Sequence, residues 1–252
     1  MKNNESLMPI QFGLIGKSLK HSFSKDYFLR KFLESQLDFN YENLEFESTE
    51  VLYSNFNAIL SEYNGFNVTI PYKSLIIPLL DRVDHIAQRI GAVNCITIQN
   101  GESIGYNTDY LGFIESLKNL NCENYEFAYV LGSGGASKAV FFALTEYFCI
   151  PTTLVSRGDH GIKYENFKTE TVPKNAIIVN TTPLGMFPNC ELFPDINYEQ
   201  LNHSHLCIDL IYNPIKTIFL EKSEHKGAKI INGESMLIFQ AELGWDLWKK
   251  TI

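Results

Sequence analysis

Cationic side chains are in short supply in this chain of 252 residues: 21 lysines and arginines face 29 aspartates and glutamates, a formal net charge of −8. That balance speaks against nucleic acid or an anionic membrane as the main partner. Paired cysteines are missing too. The five present, Cys95, Cys122, Cys149, Cys190 and Cys207, are odd in number, widely spaced and form no C-x-x-C, so neither a disulfide framework nor a zinc site is indicated. No stretch approaches the roughly 18 apolar residues of a membrane span. Asn3, Asn4 and Glu5 stand where a secretory leader would place its apolar core. Repeats and low-complexity tracts are absent. What is present is a hydrophobic fraction of 45%, enough for a full core in one large or two modest domains. The expectation is a cytoplasmic globular protein that handles a small molecule.

The first half alternates strand and helix. Ile10 to Ile15 reads as a strand ending at Gly16. Ser24 reads as the N-cap of a helix from Lys25 to Leu37, with Tyr27, Phe28, Phe32 and Leu33 at helical spacing and Ser22 directed elsewhere. Tyr41 to Phe46 and Val51 to Glu62 follow as strand and helix, then a strand opens at Gly65. This β-α-β-α-β order predicts a parallel sheet with crossover helices. A helix is expected from Ser74 through Leu79 and another from Asp84 to Ile90, with Gly91 closing it. Ala92 to Ile98 and Ser103 to Tyr106 form a hairpin around Asn100-Gly101.

Polarity in an apolar strand marks the first candidate site. In Gly65-Phe66-Asn67-Val68-Thr69-Ile70-Pro71-Tyr72-Lys73, Asn67 and Thr69 fall on one face at period two, Pro71 ends the strand, and Lys73 leaves at its exit. Such a lysine is either a solvated charge or a group held near a substrate. Asn94, Asp109 and the pair Ser22 and Ser24 each have a plain reading as a turn amide, a helix-start charge and caps.

The second candidate site is a glycine turn. Phe127 to Leu131 reads as a buried strand running into Gly132-Ser133-Gly134-Gly135-Ala136-Ser137, with a helix from Lys138 to Phe148 behind it. Strand, small-residue turn and helix start make a phosphate cradle, because backbone N–H groups at the helix start are free to meet an anion. The third glycine of G-x-G-x-x-G is Ser137 here. The next strand, from Thr152 to Val155, ends in Ser156-Arg157, where a fold selecting NAD would place an acidic residue for the ribose hydroxyls. Arg157 is either a surface charge or a partner for a 2′-phosphate, which favours NADP. Strands at Ala176 to Asn180, Leu206 to Ile211 and Lys229 to Ile231, a helix from Thr217 and a last helix from Ser235 to Lys250 complete the chain. Gln240 is the polar exception on that helix's apolar face.

Taken in order, these stretches resemble the shikimate dehydrogenase family over essentially the whole chain. The resemblance rests on His21-Ser22-Phe23-Ser24, on Asn67 to Lys73 as N-V-T-x-P-x-K, and on Gly91-Ala92-Val93-Asn94. It extends to Gly105 to Phe113 as G-x-N-T-D-x-x-G-F, Gly132 to Ala136, Asn180 to Met186 and Gly233 to Ala241. The chain departs from the pattern at Lys25, where a proline is usual, at Cys95, where threonine is usual, and at Gly158, where NADP users often carry threonine.

The resemblance implies reversible reduction of 3-dehydroshikimate to shikimate with NADPH, in the route to chorismate and the aromatic amino acids, by a monomer or homodimer. It implies an α/β fold of two domains with the active site in the cleft between them: a substrate domain of residues 1–105 completed by 233–252, and a Rossmann-like NADP domain of residues 106–232. Lys73 and Asp109 would be the catalytic pair, with Ser22, Ser24, Asn67, Thr69, Asn94, Tyr212 and Gln240 around the substrate. Gly132, Ser133, Gly134, Gly135, Ala136, Ser156, Arg157, Leu210 and Gly233 would face the cofactor. A quinate/shikimate dehydrogenase with relaxed use of NAD and NADP, for which Asp159 leaves room, and a non-catalytic metabolite sensor are the competing readings. Retention of both Lys73 and Asp109 speaks against the sensor.

Overall fold

The computed structural model describes residues 10–20, 22–158 and 161–252; Asn3, Asn4, Glu5, His21 and Asp159 lie outside them. The chain divides into two compact units. One runs up to Asn107 and takes up the chain again for Gly244–Ile252; the other is Thr108–Leu243.

In the first unit, β1 (Ile10–Gly16) leads to α1 (Phe23–Glu34), β2 (Phe39–Glu45), α2 (Thr49–Leu60) and β3 (Gly65–Val68). Then come β4 (Arg82–Val83), α3 (His85–Ile90), β5 (Cys95–Gln99) and β6 (Glu102–Tyr106). The sheet order is β2-β1-β3-β5-β6-β4. The first three strands are parallel, as the alternation predicts, but β3 meets β5 antiparallel and the sheet is mixed. The hairpin between β5 and β6 turns on Asn100 and Gly101, both with positive φ, the twist that two-residue hairpin turns need.

Two local expectations are corrected. Ser22, not Ser24, caps α1: its hydroxyl accepts from the Ser24 amide at 3.3 Å, and the helix starts at Phe23. No α-helix follows Ser74; only the short 3₁₀ turn Ile77–Leu79 forms, because Pro78 lacks the N–H that a longer helix would use.

Aromatic rings fill one side of this unit. Phe12 stacks on Trp248 with centroids 4.4 Å apart, Phe28 stacks on Tyr41 at 4.9 Å, and Trp245 closes on Phe32 at 5.4 Å. Trp248 also donates its indole N–H to the Ile96 carbonyl at 2.9 Å, so the end of the chain is tied to β5. Gly65 is required there. A Cβ on it would lie 2.4 Å from that indole nitrogen and 2.8 Å from the Ile96 oxygen.

In the second unit, α4 (Asp109–Leu117), β7 (Phe127–Leu131), α5 (Gly135–Phe142), β8 (Thr152–Ser156), β9 (Ile162–Lys163) and α6 (Tyr164–Thr169) come first. After them stand β10 (Ala176–Asn180), β11 (Leu206–Asp209), α7 (Ile218–His225), β12 (Lys229–Ile231) and α8 (Glu234–Trp248). Every pairing in the order β12-β11-β10-β7-β8-β9 is parallel. The buried residues of β7 and β10 (Ala128, Val130, Ile177, Val179) pack with Phe113, Leu117, Val140 and Leu144 into an aliphatic core. The near-continuous apolar strands are those of a sheet covered on both faces. α5 begins three residues earlier than its glycines suggest and ends in a π turn, Ala143–Tyr147. The unit border falls within α8, which the sequence reading assigned whole to the first domain.

Candidate functional site

In the first unit the polar residues sit where three segments are stapled together. Val68 and Asn67 both donate to the Asn94 carbonyl, through the backbone N–H at 2.9 Å and the side-chain amide at 3.3 Å. Just past β3, Thr69 still donates its N–H to the Ile15 carbonyl of β1 at 2.9 Å, while its own carbonyl accepts from the Tyr72 N–H at 2.9 Å and opens the turn. The chain at Lys73 is then clamped from its far side. The Lys73 carbonyl accepts from Val93 at 2.7 Å, and the Ser74 hydroxyl donates to Gly91 at 2.8 Å. These bonds set the half-buried Lys73 beside the segment that carries the buried Asn94.

Tyr41 escaped the sequence reading, since a tyrosine in a strand gives no sign of what it will meet. It is fully buried, its hydroxyl donates to Asn67 Oδ1 at 2.8 Å, and the Ser24 hydroxyl bonds to the same phenol. Burial pushes its pKa well above the ordinary tyrosine value, although Ser24 draws it partly back. One phenol thus joins Ser24 to Asn67.

In the second unit, Asp109 is the first residue of α4 and is buried. Gly112, one turn on, lets α8 approach: a Cβ there would stand 2.9 Å from Gln240 Cβ and from the Met236 carbonyl. Gln240 therefore lies against α4, its Nε2 donating to Leu237 at 2.9 Å. Tyr212 follows β11 and is half-buried.

The glycine turn lies at the carboxyl end of β7. Gly132 has φ +117°, and a Cβ would come within 2.7 Å of Thr181 Oγ1, whose hydroxyl donates to Leu131 at 2.6 Å. Gly134 has open space around it, and Ser133 and Gly134 are exposed. Gly135 and Ala136 are the first residues of α5. Ser137, in the third glycine's place, donates to the Gly134 carbonyl at 2.6 Å and so closes the turn by a different means. At the end of the neighbouring β8, the buried Ser156 accepts from the Gly158 N–H at 3.2 Å, which leaves Arg157 exposed at that edge. Leu210 and Gly233 are brought together: a Cβ on Gly233 would stand 2.0 Å from the Leu210 carbonyl, so no other residue passes there.

Beneath these loops lies a buried acid that the sequence reading also missed. Asp209 accepts from Asn180 Nδ2 at 3.1 Å, from the Ile211 N–H at 3.0 Å and from Thr217 Oγ1 at 2.6 Å. Asn180 in turn accepts from the Thr182 N–H and hydroxyl, so one acid braces both the loop after β10 and the loop after β11. Burial, only partly opposed by the three donors, raises its pKa to about 6. Among the described residues no cluster of acids, histidines or cysteines could hold a metal ion, and no helix is long and apolar enough to cross a membrane.

An all-parallel sheet whose carboxyl edge carries a glycine turn, an exposed arginine and a braced pair of loops places the second unit in the Rossmann-like class of dinucleotide-binding folds. The comparisons carry this to a family. Residues 14–96 match the model of the shikimate dehydrogenase substrate binding domain. A shikimate dehydrogenase (NADP(+)) of Methanococcus vannielii is 35% identical over 95% of this chain and 91% of its own length; one of Clostridium botulinum is 35% identical over 94% and 95%. The crystal structure of the Thermus thermophilus enzyme, in complex with NADP(H) and shikimate, superposes with a TM-score of 0.83 at 29% identity, covering 96% of this chain and 94% of that one. The chain belongs to the shikimate dehydrogenase family.

Proposed function

We propose that this protein catalyses the reversible, NADP-dependent reduction of 3-dehydroshikimate to shikimate on the route to chorismate. What supports this reading is that two sets of groups stand on one chain: Asn67, held by Tyr41, on the strand that leads to the Lys73 turn, and a glycine turn with Arg157 at the adjacent strand end. The relatives that cover more than nine-tenths of the chain bear that activity in their names.

The unit closed by Asn107 serves as the substrate domain. The substrate carbonyl needs a proton at its oxygen on reduction and must surrender it on oxidation. Lys73 gives and takes that proton, with Asp109 as the second member of the catalytic pair. Ser22, Ser24, Asn67, Thr69, Asn94, Tyr212 and Gln240 meet the hydroxyls and carboxylate, because a site whose polar groups would otherwise go unpaired rejects analogues most strongly. Ser22 uses its oxygen to cap α1 and keeps its proton for the ligand.

The second unit suits a dinucleotide phosphate on its own chemistry. Gly134 is open to close backbone approach and the first N–H groups of α5 are free to meet an anion. Gly132 to Ala136 would hold the pyrophosphate, Arg157 with Ser156 the 2′-phosphate, and Leu210 and Gly233 would lie against the nicotinamide end. When bound, the nicotinamide exchanges hydride with the substrate's carbonyl carbon. The enzyme works in the cytoplasm as a monomer or homodimer.

Purified protein mixed with shikimate or quinate and NADP or NAD, followed at the nicotinamide absorbance band, tests this. Reduction of NADP with shikimate supports the reading, and silence in all four mixtures overturns it. Turnover of quinate with NAD would favour the relaxed dehydrogenase, which Gly158 and the absence of a second arginine in the next five residues make the second reading.

A further inference from the structure

We propose that Tyr41 is a positioning residue for substrate recognition: its phenol locks the Asn67 amide so that Asn67 meets the substrate as a hydrogen-bond donor and never as an acceptor. The inference rests on the function proposed above. An asparagine side chain has one carbonyl and two N–H groups, and a half-turn about its last bond exchanges them. In this chain that choice is removed. The Asn94 carbonyl can only accept, so Asn67 turns its Nδ2 to that side, and the Tyr41 hydroxyl holds the Oδ1 on the other by donating to it at 2.8 Å. One N–H then goes to the Asn94 carbonyl at 3.3 Å, and the second is left for a ligand oxygen.

The phenol is itself held rigidly. Its ring lies 4.9 Å from Phe28 at 12° and 6.3 Å from Trp248, at zero exposure, so it cannot swing away when a ligand arrives. High burial keeps the phenol protonated throughout the working range, which keeps it a donor. A phenylalanine would fill the same space and leave the Asn67 Oδ1 without its donor, so that the Asn94 carbonyl alone would hold the amide.

The test uses the whole enzyme with shikimate and NADP. Tyr41→Phe is expected to raise KM for shikimate by about tenfold, the scale of one hydrogen bond lost from a buried site, with KM for NADP and kcat within about twofold of wild type. Asn67→Ala should give a similar rise, and the double variant little more, because the phenol acts through Asn67. Tyr63→Phe removes a tyrosine hydroxyl elsewhere in the same unit, one that donates to Glu42, and should leave both KM values unchanged. A wild-type KM in Tyr41→Phe, or additive effects in the double variant, overturns the inference. Should Tyr41→Phe fold poorly, Asn67→Asp keeps the acceptor toward Tyr41 and replaces the donor by a carboxylate oxygen; an unchanged KM in that variant also overturns it. An inactive wild-type enzyme would remove the functional reading and this inference together, whereas an active one with an indifferent Tyr41→Phe would remove only the inference.

Discussion

The two units present polar groups to ligands in opposite ways. On the function proposed above, the first offers side chains, of which Asn67 is held by the Tyr41 hydroxyl and the Asn94 carbonyl, with aromatic rings behind Tyr41. The second offers main chain: Gly132 to Gly135 expose backbone on a short turn, and the polar side chains beneath, Asp209, Asn180 and Thr217, are spent on bracing loops. The contrast fits the two ligands. A small ring with several hydroxyls must be told from close analogues by individual donors and acceptors, while a pyrophosphate is satisfied by an array of N–H groups whatever side chains lie nearby. Substitutions in the first unit should therefore change what is recognised. In the second they should change how firmly the backbone is held.

The largest expected effect tests the side-chain unit at its chemical group. Lys73→Ala should lower kcat by about a thousandfold, within the range for loss of a positioned acid or base, with a smaller change in KM. An unchanged kcat would take the proton transfer away from Lys73. Next in size is a test of the scaffold behind it. Gly65→Ala forces a Cβ against the Trp248 indole and the Ile96 carbonyl, and urea unfolding should show a loss of roughly 3 kcal/mol. A loss below about 1 kcal/mol would mean that the aromatic side of the unit yields more easily than its stacking suggests.

The bracing acid of the second unit gives a pH signature. Because burial raises the folded-state pKa of Asp209 from 3.8 to about 6, the folded protein holds that proton more tightly than the unfolded chain. The stabilisation is full below about pH 4 and fades as pH rises through about 6. A rise of that size corresponds to about 3 kcal/mol, so the stability of wild type relative to Asp209→Asn should fall by about that amount from acid to neutral pH. A difference that does not vary with pH would show that Asp209 is solvated well enough to ionise freely. The smallest effect sharpens the contrast at the cofactor. Arg157→Ala should raise KM for NADP by about tenfold and leave NAD almost unaffected, since only the former carries the 2′-phosphate. Equal losses with both cofactors would end that assignment.

What could be read in the residues alone was what neighbours in sequence decide. Strand, glycine turn and helix at Phe127 to Phe142 lie next to one another in the chain, and so do the hairpin at Asn100-Gly101 and the turn that delivers Lys73. Short-range competition was harder. Ser22 and Ser24 are both fit to cap α1, and the choice depends on one extended residue; Pro78 cut short a helix that the apolar pattern alone would have continued. Long-range pairing was invisible. Tyr41 meets Asn67 across 26 positions and Asp209 meets Asn180 across 29, with nothing in the composition of either stretch to announce it. The antiparallel step from β3 to β5 belongs to the same class, because alternation of helix and strand predicts crossovers only while it lasts.

The indole bond from Trp248 to Ile96 also has a meaning in time. A ribosome makes β5 early and Trp248 late, with the whole of the second unit between them. Until those last residues emerge, Phe12 has no ring to stack on and the Ile96 carbonyl has no indole donor. The Rossmann-like unit is fully synthesised by then. In the order of manufacture, the unit that holds β5 is completed only after Thr108–Leu243 has been made.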